Sequence, residues 1–304
     1  MKLNTWTISL AGLAVFALFA VSTPAQKFQL PSQIRAAKAG SGDGSTAGKA
    51  RKELESDGVS PDATEVCTYT FTSGSGATYL QFCVTVNGNI VEFQSPAGVE
   101  QIDSEDEPYE GYGFCDGVTN VGYYDYAYGD SGTWAPPTTV SQTATEVKIE
   151  RTTSDGLWTL TQTITSVAGT NPYAKVVMAL KNNSTTTRAV ALLRYANPVP
   201  DNGGLSEYYD GSQDSAWGYT PIDTASGAGP YGLMIQNVGN PTPTAALFGR
   251  EGFAQDTYNG PAPCNYGANM KSPVLNGNGS TVYLYIFTLD KNQTATVTDR
   301  YISF

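Results

Sequence analysis

The sequence contains no histidine. Imidazole is the side chain that most often carries acid–base catalysis near neutral pH, and it is the commonest protein metal ligand. Its absence excludes a Ser-His-Asp triad, a histidine-ligated zinc site and histidine-based proton abstraction on sugars. No P-loop or G-x-G-x-x-G follows a strand and opens a helix, so we expect no nucleotide cofactor. Carboxylate chemistry, calcium binding or binding without catalysis remain.

Basic residues are missing from a long stretch of the chain. Residues 63–147 contain 12 acidic residues and no Lys or Arg, and the whole chain has a net charge of −11. Such a surface repels phosphate backbones, which excludes nucleic acid as a partner. Five carboxylates fall within residues 103–110. Calcium prefers oxygen ligands, but the EF-hand spacing is missing, so an ordinary acidic loop is the favoured interpretation and we predict no metal site.

Long apolar runs are also scarce. One run, Leu10–Val21, follows Lys2 and leads into small residues near Ala25. About 12 apolar residues are too few to span a bilayer, which takes roughly 20. We therefore predict a signal peptide over residues 1–25 and a secreted protein, extracellular or periplasmic, without stable membrane insertion after cleavage. The alternative is a retained N-terminal anchor.

Two further segments follow the signal peptide. Residues 26–62 are rich in Gly, Ala, Ser and charge and show no apolar periodicity. Such a composition buries too little apolar surface to offset its ordering entropy, which predicts a flexible tether. Residues 63–304 are long enough for one large domain with a substantial core.

Four cysteines in an exported chain predict two disulfides. Two β-rich runs flank the sequence SGSG at residues 73–76, and a hairpin centred on Ser75 would place Cys67 opposite Cys83. Cys115 would then pair with Cys264. In the chain-entropy model the Cys115–Cys264 disulfide, which closes the longer loop, contributes roughly 5 kcal/mol of stability, and the Cys67–Cys83 disulfide contributes about 3 kcal/mol.

Nearly every segment after residue 63 has the pattern of strands and turns. Residues 146–167 alternate around an Asp155-Gly156 turn. Residues 174–196 predict a second hairpin that turns at residues 182–187, with both strands apolar on both faces. Many strands and no long amphipathic helix predict an all-β fold, an antiparallel β-sandwich.

The sequence Gly129-Asp130-Ser131-Gly132 resembles the tetrapeptide around the nucleophilic serine of trypsin-like proteases. That chemistry needs an imidazole, which this chain lacks. The chain also has Thr133 where that family has another glycine. Gly, Asp and Ser are typical turn residues, so we predict a tight turn and not a serine hydrolase.

An aromatic-rich stretch gives the leading candidate for ligand binding. In a strand over residues 121–128, Tyr124, Tyr126 and Tyr128 would share one face at the two-residue period, with Trp134 nearby. Such a row could hold an extended glycan. The alternative is core packing, in which only the hydroxyls meet water.

A second candidate lies in residues 201–219, where Glu207, Asp210 and Asp214 are interleaved with the aromatic residues Tyr208, Tyr209, Trp217 and Tyr219. A glycosidase needs two carboxyl groups about 5–9.5 Å apart, one of which holds a proton near neutral pH. The alternative is a long solvated loop whose aromatic residues fold back onto the domain.

Three functions remain open. The first is a secreted, non-enzymatic β-sandwich protein whose aromatic face binds a neutral glycan. The second is a carboxylate-dependent glycoside hydrolase. The third is a structural or protein-interaction module of the cell envelope, whose partner would be another envelope protein. None of the three requires a cofactor.

Overall fold

A computed structural model describes residues 66–102, 110–127, 129–200, 208–212, 214–221, 229–239, 245–250, 263–264, 274–275 and 279–304. The predicted signal peptide and tether lie outside the described residues. Within the described ranges, no helix is long and apolar enough to cross a membrane.

The secondary structure in these ranges is almost entirely β-strand. The strands are β1 Tyr69–Ser73, β2 Leu80–Val84, β3 Ile90–Gln94, β4 Glu110–Asp116, β5 Val121–Asp125, β6 Thr138–Gln142, β7 Glu146–Thr152, β8 Trp158–Val167, β9 Tyr173–Asn182, β10 Arg188–Ala196, β11 Tyr208–Ser212, β12 Ser215–Thr220, β13 Tyr231–Asn237, β14 Ala245–Arg250, β15 Val274–Leu275, β16 Gly279–Leu289 and β17 Thr294–Ser303.

The strands form three antiparallel sheets. The largest has nine strands in the order β15-β11-β12-β13-β17-β9-β8-β7-β6. A five-stranded sheet has the order β14-β16-β10-β4-β5, and β1-β2-β3 form a three-stranded sheet. The all-β antiparallel sandwich predicted from the sequence is confirmed.

The main core lies between the sheets. Along β8, buried Trp158, Leu160 and Ile164 alternate with half-buried residues, which is the pattern of a strand with one face inward. Strand β10 is buried on both faces over most of its length. A second cluster of buried residues explains this, because Leu193 and Tyr195 pack there with Cys115 and Tyr126 on the outer side of the five-stranded sheet.

The strands predicted over residues 174–196 exist, but the predicted hairpin between them is wrong. Strand β9 pairs with β8 and β17, whereas β10 pairs with β4 and β16. The turn carries the chain from one sheet to the other, and the Asn182 side chain holds it by donating to the carbonyl oxygens of Thr186 at 2.8 Å and Leu289 at 3.0 Å. The outward residues of β9 are mostly half-buried, so full burial on both faces is also wrong for that strand.

Both predicted disulfides are confirmed. The Cα atoms of Cys67 and Cys83 are 5.5 Å apart, and those of Cys115 and Cys264 are 4.9 Å apart. The register of the first hairpin differs from the prediction, because Thr70 lies opposite Cys83 and the connection contains a 3₁₀ turn at Gly76–Thr78. Cys67 therefore reaches Cys83 from just before β1.

The predicted turn residues Gly129–Gly132 lie at the end of a tight chain reversal, in which Asp125 pairs with Asp130 and the Tyr126 N–H donates to the Gly129 carbonyl oxygen at 2.8 Å. The Asp130 Oδ1 atom accepts the Gly132 N–H at 2.6 Å, and Gly132 has a φ of 66°. Glycine adopts a positive φ more readily than other residues, because it has no Cβ. The Ser131 hydroxyl bonds with that of Thr133 at 2.6 Å. The tetrapeptide thus has a conformational role.

Candidate functional site

Three of the four aromatic residues predicted as a platform, Tyr124, Tyr126 and Trp134, lie on two sides of the five-stranded sheet. Tyr124 and Tyr126 stack at 5.1 Å on its outer side, where Tyr126 is 0% exposed. Trp134 is 4% exposed and packs in the interior, edge-on to Phe114 at 5.7 Å. Tyr128 lies outside the described residues. Because the chain reverses after β5, the predicted single open face does not form from Tyr124, Tyr126 and Trp134.

The carboxylate segment is a hairpin over its described part, and not a long loop. Strands β11 and β12 pair with Asp210 opposite Trp217. Asp210 is half-buried, whereas Asp214 is exposed at the turn, where its carbonyl oxygen accepts the Asn237 N–H at 3.0 Å. Glu207 lies outside the described residues.

The residues of this hairpin belong to a larger surface on the outward side of the nine-stranded sheet. Ala216 and Ile235 lie opposite each other, are both 0% exposed and face inward, so the next residues along each strand, Trp217 on β12 and Met234 on β13, face outward. Directly paired residues on neighbouring antiparallel strands share a face. The register therefore arranges the outward side chains of β11, β12, β13, β17 and β9 in rows, and we call three of these rows the outer aromatic face.

The first row is aromatic. It contains Tyr208 on β11, Tyr219 on β12, Gly232 on β13 and Phe304, which follows β17. The rings of Tyr208 and Tyr219 stack at 5.3 Å, and Phe304 lies 6.4 Å from Tyr219. Glycine is needed at position 232, because an added Cβ would lie 2.5 Å from Phe304 Cζ.

The second row is largely apolar. Its members, in strand order, are Asp210, Trp217, Met234, Ile302 and Tyr173. Met234 is 5% exposed and forms a floor, whereas the other four side chains are half-buried. Strands lie about 4.8 Å apart, so Trp217 and Tyr173 stand about 14 Å apart with the apolar floor between them.

The third row is polar and runs Ser215, Gln236, Arg300, Lys175. Arg300 donates from Nε at 2.9 Å and from Nη2 at 2.6 Å to the Gln236 Oε1 atom. Its guanidinium also lies 5.3 Å from the centre of the Tyr173 ring. A neutral acceptor and an aromatic ring thus fix the position of the guanidinium.

The interior of the sandwich contains a separate group of charged residues. The Arg194 Nε atom lies 2.5 Å from Glu110 Oε1, and both side chains are 0% exposed. Arg151 lies 2.5 Å from Asp125 and 3.2 Å from Asp130. Glu110 is the last carboxylate of the acidic run considered above for calcium, and residues 103–109 lie outside the described residues.

Burial changes the ionisation of several of these groups. It raises the pKa of the Glu110 carboxyl group, although Arg194 acts in the opposite direction. On the outer aromatic face, burial raises the pKa of the Tyr219 hydroxyl, and nearby Tyr208 and Asp210 raise it further. Because the interior groups are enclosed, their contacts support the fold, and the ligand candidates are on the outer aromatic face.

The chemistry that this face offers is recognition by stacking and hydrogen bonding. Asp210 is the only carboxylate in the three rows among the described side chains, and Asp214 lies at the neighbouring turn. In the described ranges no three Asp, Glu, Cys or His side chains are grouped closely enough to hold a metal ion.

Sequence reasoning found Asp210, Trp217 and their aromatic neighbours but missed Gln236, Arg300, Tyr173 and Phe304. Apolar and polar residues alternate clearly in the segment TATVTDRYISF but only weakly in YGLMIQN. The two-residue period of the first segment could have placed Arg300 and Ile302 on one face of a strand. The pairing of β17 between β13 and β9 has no local signal.

The sequence matches no family model and no curated protein. Its fold is similar to part of a bacterial glucoamylase complexed with acarbose, with a TM-score of 0.51 and 10% identity, covering 81% of this chain and 34% of that one. A candidate aldose 1-epimerase from Escherichia coli K12 has a TM-score of 0.42 and 9% identity, over 78% of this chain and 99% of that one. A polysaccharide lyase has a TM-score of 0.44 and 10% identity, over 76% of this chain and 33% of that one.

Proposed function

We propose that this chain is an exported carbohydrate-binding protein that holds a glycan on the outer aromatic face. The observation that carries the proposal is the half-buried Trp217 in the row next to the polar side chains of Gln236 and Arg300, with half-buried Tyr208 in the row on its other side. Sugar rings present apolar C–H faces that pack on aromatic rings, and their hydroxyls need hydrogen-bonding partners. This surface supplies both in adjacent rows.

Two further observations support the proposal. The glucoamylase that this chain resembles in fold is complexed with acarbose, a carbohydrate-like ligand. The two disulfides favour an oxidising compartment, in agreement with export to the periplasm or the extracellular space.

The proposal moves the binding face from the residues first predicted. Trp134 and Tyr126 are buried, whereas Trp217 and Tyr208 are half-buried on rigid strands. Binding faces on strands are held more precisely than faces on loops.

The test is depletion of the mature protein, residues 26–304, from solution by a panel of insoluble polysaccharides. Trp217→Ala and Tyr208→Ala should each weaken retention roughly tenfold, since an anchoring aromatic residue contributes about 1–2 kcal/mol. Tyr79→Ala is the matched control, because Tyr79 is half-buried beside β2 in the three-stranded sheet. Equal retention by all three variants would refute the proposal.

A second candidate function is a glycoside hydrolase that uses Asp210 with Glu207 or Asp214. The observation that favours it is the position of Asp210 opposite Trp217, where a bound sugar would lie. It predicts reducing ends in the depletion supernatants and their loss in Asp210→Asn with retention preserved. A structural or protein-interaction module predicts neither retention nor reducing ends.

A further inference from the structure

We propose that Arg300 and Lys175 form a subsite for the ring carboxylate of an acidic polysaccharide, so that the ligand of the outer aromatic face contains uronic acid residues. The inference depends on the proposed function, because it names the ligand class of the same surface. It changes the predicted ligand from a neutral glycan to an anionic one.

The first observation is the pairing of two like charges. Arg300 on β17 lies directly opposite Lys175 on β9, and both side chains are half-buried on the outward side of the sheet. Like charges directly opposite each other destabilise a sheet. Within the described part of the chain, neither residue forms an ion pair with a carboxylate. An anion bound between them would remove this repulsion.

The second observation is that the guanidinium is oriented without being neutralised. Gln236 accepts hydrogen bonds from the Nε and Nη2 atoms of Arg300, and the guanidinium stacks over the Tyr173 ring. Neither partner carries charge. Arg300 is therefore held in one position with its charge uncompensated, which suits the planar, two-point recognition of a carboxylate.

The third observation concerns the nearest acidic side chains of the face. Asp210 on β11 lies three strands from Arg300, or about 14 Å at about 4.8 Å per strand. Glu146 on β7 lies two strands from Lys175 in the same row, and Asp214 at the β11–β12 turn lies two strands from Arg300, each about 10 Å away. Glu146 also accepts a hydrogen bond from Thr165 at 2.9 Å. Charges on a surface are largely screened beyond about 8 Å at physiological salt. The patch is thus locally positive on a chain with a net charge of −11.

The arrangement of the rows determines how a ligand would lie. The apolar row that contains Trp217 and Ile302 is two residues along the strands from the row that contains Arg300, or about 7 Å. A sugar ring packed on the apolar row would therefore direct a ring carboxylate towards Arg300 and its hydroxyls towards Gln236. A neutral glycan would fill the apolar row and leave the cations uncompensated.

The test compares two polymers with the same backbone. Polygalacturonate and fully methyl-esterified polygalacturonate are titrated against the mature protein at about 150 mM salt. We expect the wild type to bind the acid form at least tenfold more tightly than the ester, and Arg300→Gln to remove that difference. Arg300→Lys should restore only part of the difference, because it keeps the charge and loses the planar fork.

The matched control is Lys181→Met. Lys181 also points outward from β9, six residues from Lys175 and thus roughly 20 Å away. It should bind both polymers as the wild type does, whereas Lys175→Met should weaken binding of the acid form. The inference would be overturned if the Lys181 and Arg300 variants lost equal affinity for polygalacturonate and the wild type bound dextran sulfate as tightly as polygalacturonate. Those results would mean non-specific attraction of polyanions.

Trp217→Ala separates this inference from the proposed function. If the wild type binds both polymers equally and Trp217→Ala loses both, the carbohydrate-binding function stands and the uronate subsite is refuted. If neither polymer nor any other polysaccharide binds, the proposed function fails, and the inference fails with it.

Discussion

The buried ion pair between Glu110 and Arg194 gives the sharpest test of the structure. In Glu110→Gln the shape is kept and the charge is lost, so Arg194 stays 0% exposed without its contact partner and keeps only the weaker attraction of buried Asp299. Arg194 would retain hydrogen bonds to Tyr301 at 2.9 Å and Gln162 at 2.5 Å, but both acceptors are neutral. Breaking a buried pair by removing one partner costs about 3–5 kcal/mol.

A loss of this size is a large fraction of the 5–15 kcal/mol typical of a folded domain. It should lower the midpoint of thermal unfolding by roughly 6–20 °C. Removing both charges in Glu110→Gln/Arg194→Met should cost less than the sum of the two single changes, because no charge is then left buried alone. Urea unfolding of the wild type, the two single variants and the double variant, with the disulfides intact, measures these free energies of unfolding.

Glu146→Gln is the matched control for this cycle. Glu146 is half-buried on the surface and accepts one hydrogen bond from Thr165. An exposed carboxylate contributes about 0–1 kcal/mol, so this variant should unfold close to the wild type. A Glu110→Gln variant that is also within about 1 kcal/mol of the wild type would contradict the buried ion pair.

Three more predictions concern the stability of the fold. Trp134→Ala should destabilise by about 3–5 kcal/mol and leave glycan retention unchanged, which unfolding and depletion assays check together. Replacing Cys115 and Cys264 by Ala opens a loop of 149 residues and should cost more than opening the Cys67–Cys83 loop of 16, about 5 against 3 kcal/mol in urea unfolding. Burial raises the pKa of Asp299 to about 7, so its protonated form is favoured in the folded state and stability is lost as pH rises from about 4 to 7. Asp299→Asn should therefore gain roughly 2–4 kcal/mol relative to the wild type between pH 4.5 and 7.5, and parallel pH profiles would count against this assignment.

The fold was largely predictable because the local signals agreed. The Asp155-Gly156 turn forms as predicted, with a φ of 73° at Gly156, and the strands on either side pair in one sheet. The pairing of β9 and β10 was predicted wrongly, because an apolar pattern indicates that a strand is buried but not which strand lies beside it. A turn within one sheet and a turn between sheets have similar composition, and only long-range contacts such as that from Asn182 to Leu289 distinguish them.

The candidate site was less predictable than the fold. Asp210 and Trp217 are close in sequence, so the acidic–aromatic pattern revealed them. Tyr173 and Arg300 are separated by more than a hundred residues and come together through the register of β9 and β17. The two-residue spacing of the tyrosines at residues 124–128 correctly indicated that Tyr124 and Tyr126 share a face. Such a spacing does not indicate which face of the sheet is exposed to solvent.

The charges of the domain serve two separable purposes. Among the arginine side chains that the structure describes, Arg151, Arg188 and Arg194 each pair with a buried carboxylate. Arg300 differs, because it faces outward and meets a neutral amide and an aromatic ring. Charge changes at the first three should therefore alter the free energy of unfolding strongly. A change at half-buried Arg300 should alter ligand affinity, with a smaller loss of stability of about 1 kcal/mol from its hydrogen bonds to Gln236. The interior charges stabilise the scaffold, and the outward guanidinium is the one placed to recognise a ligand.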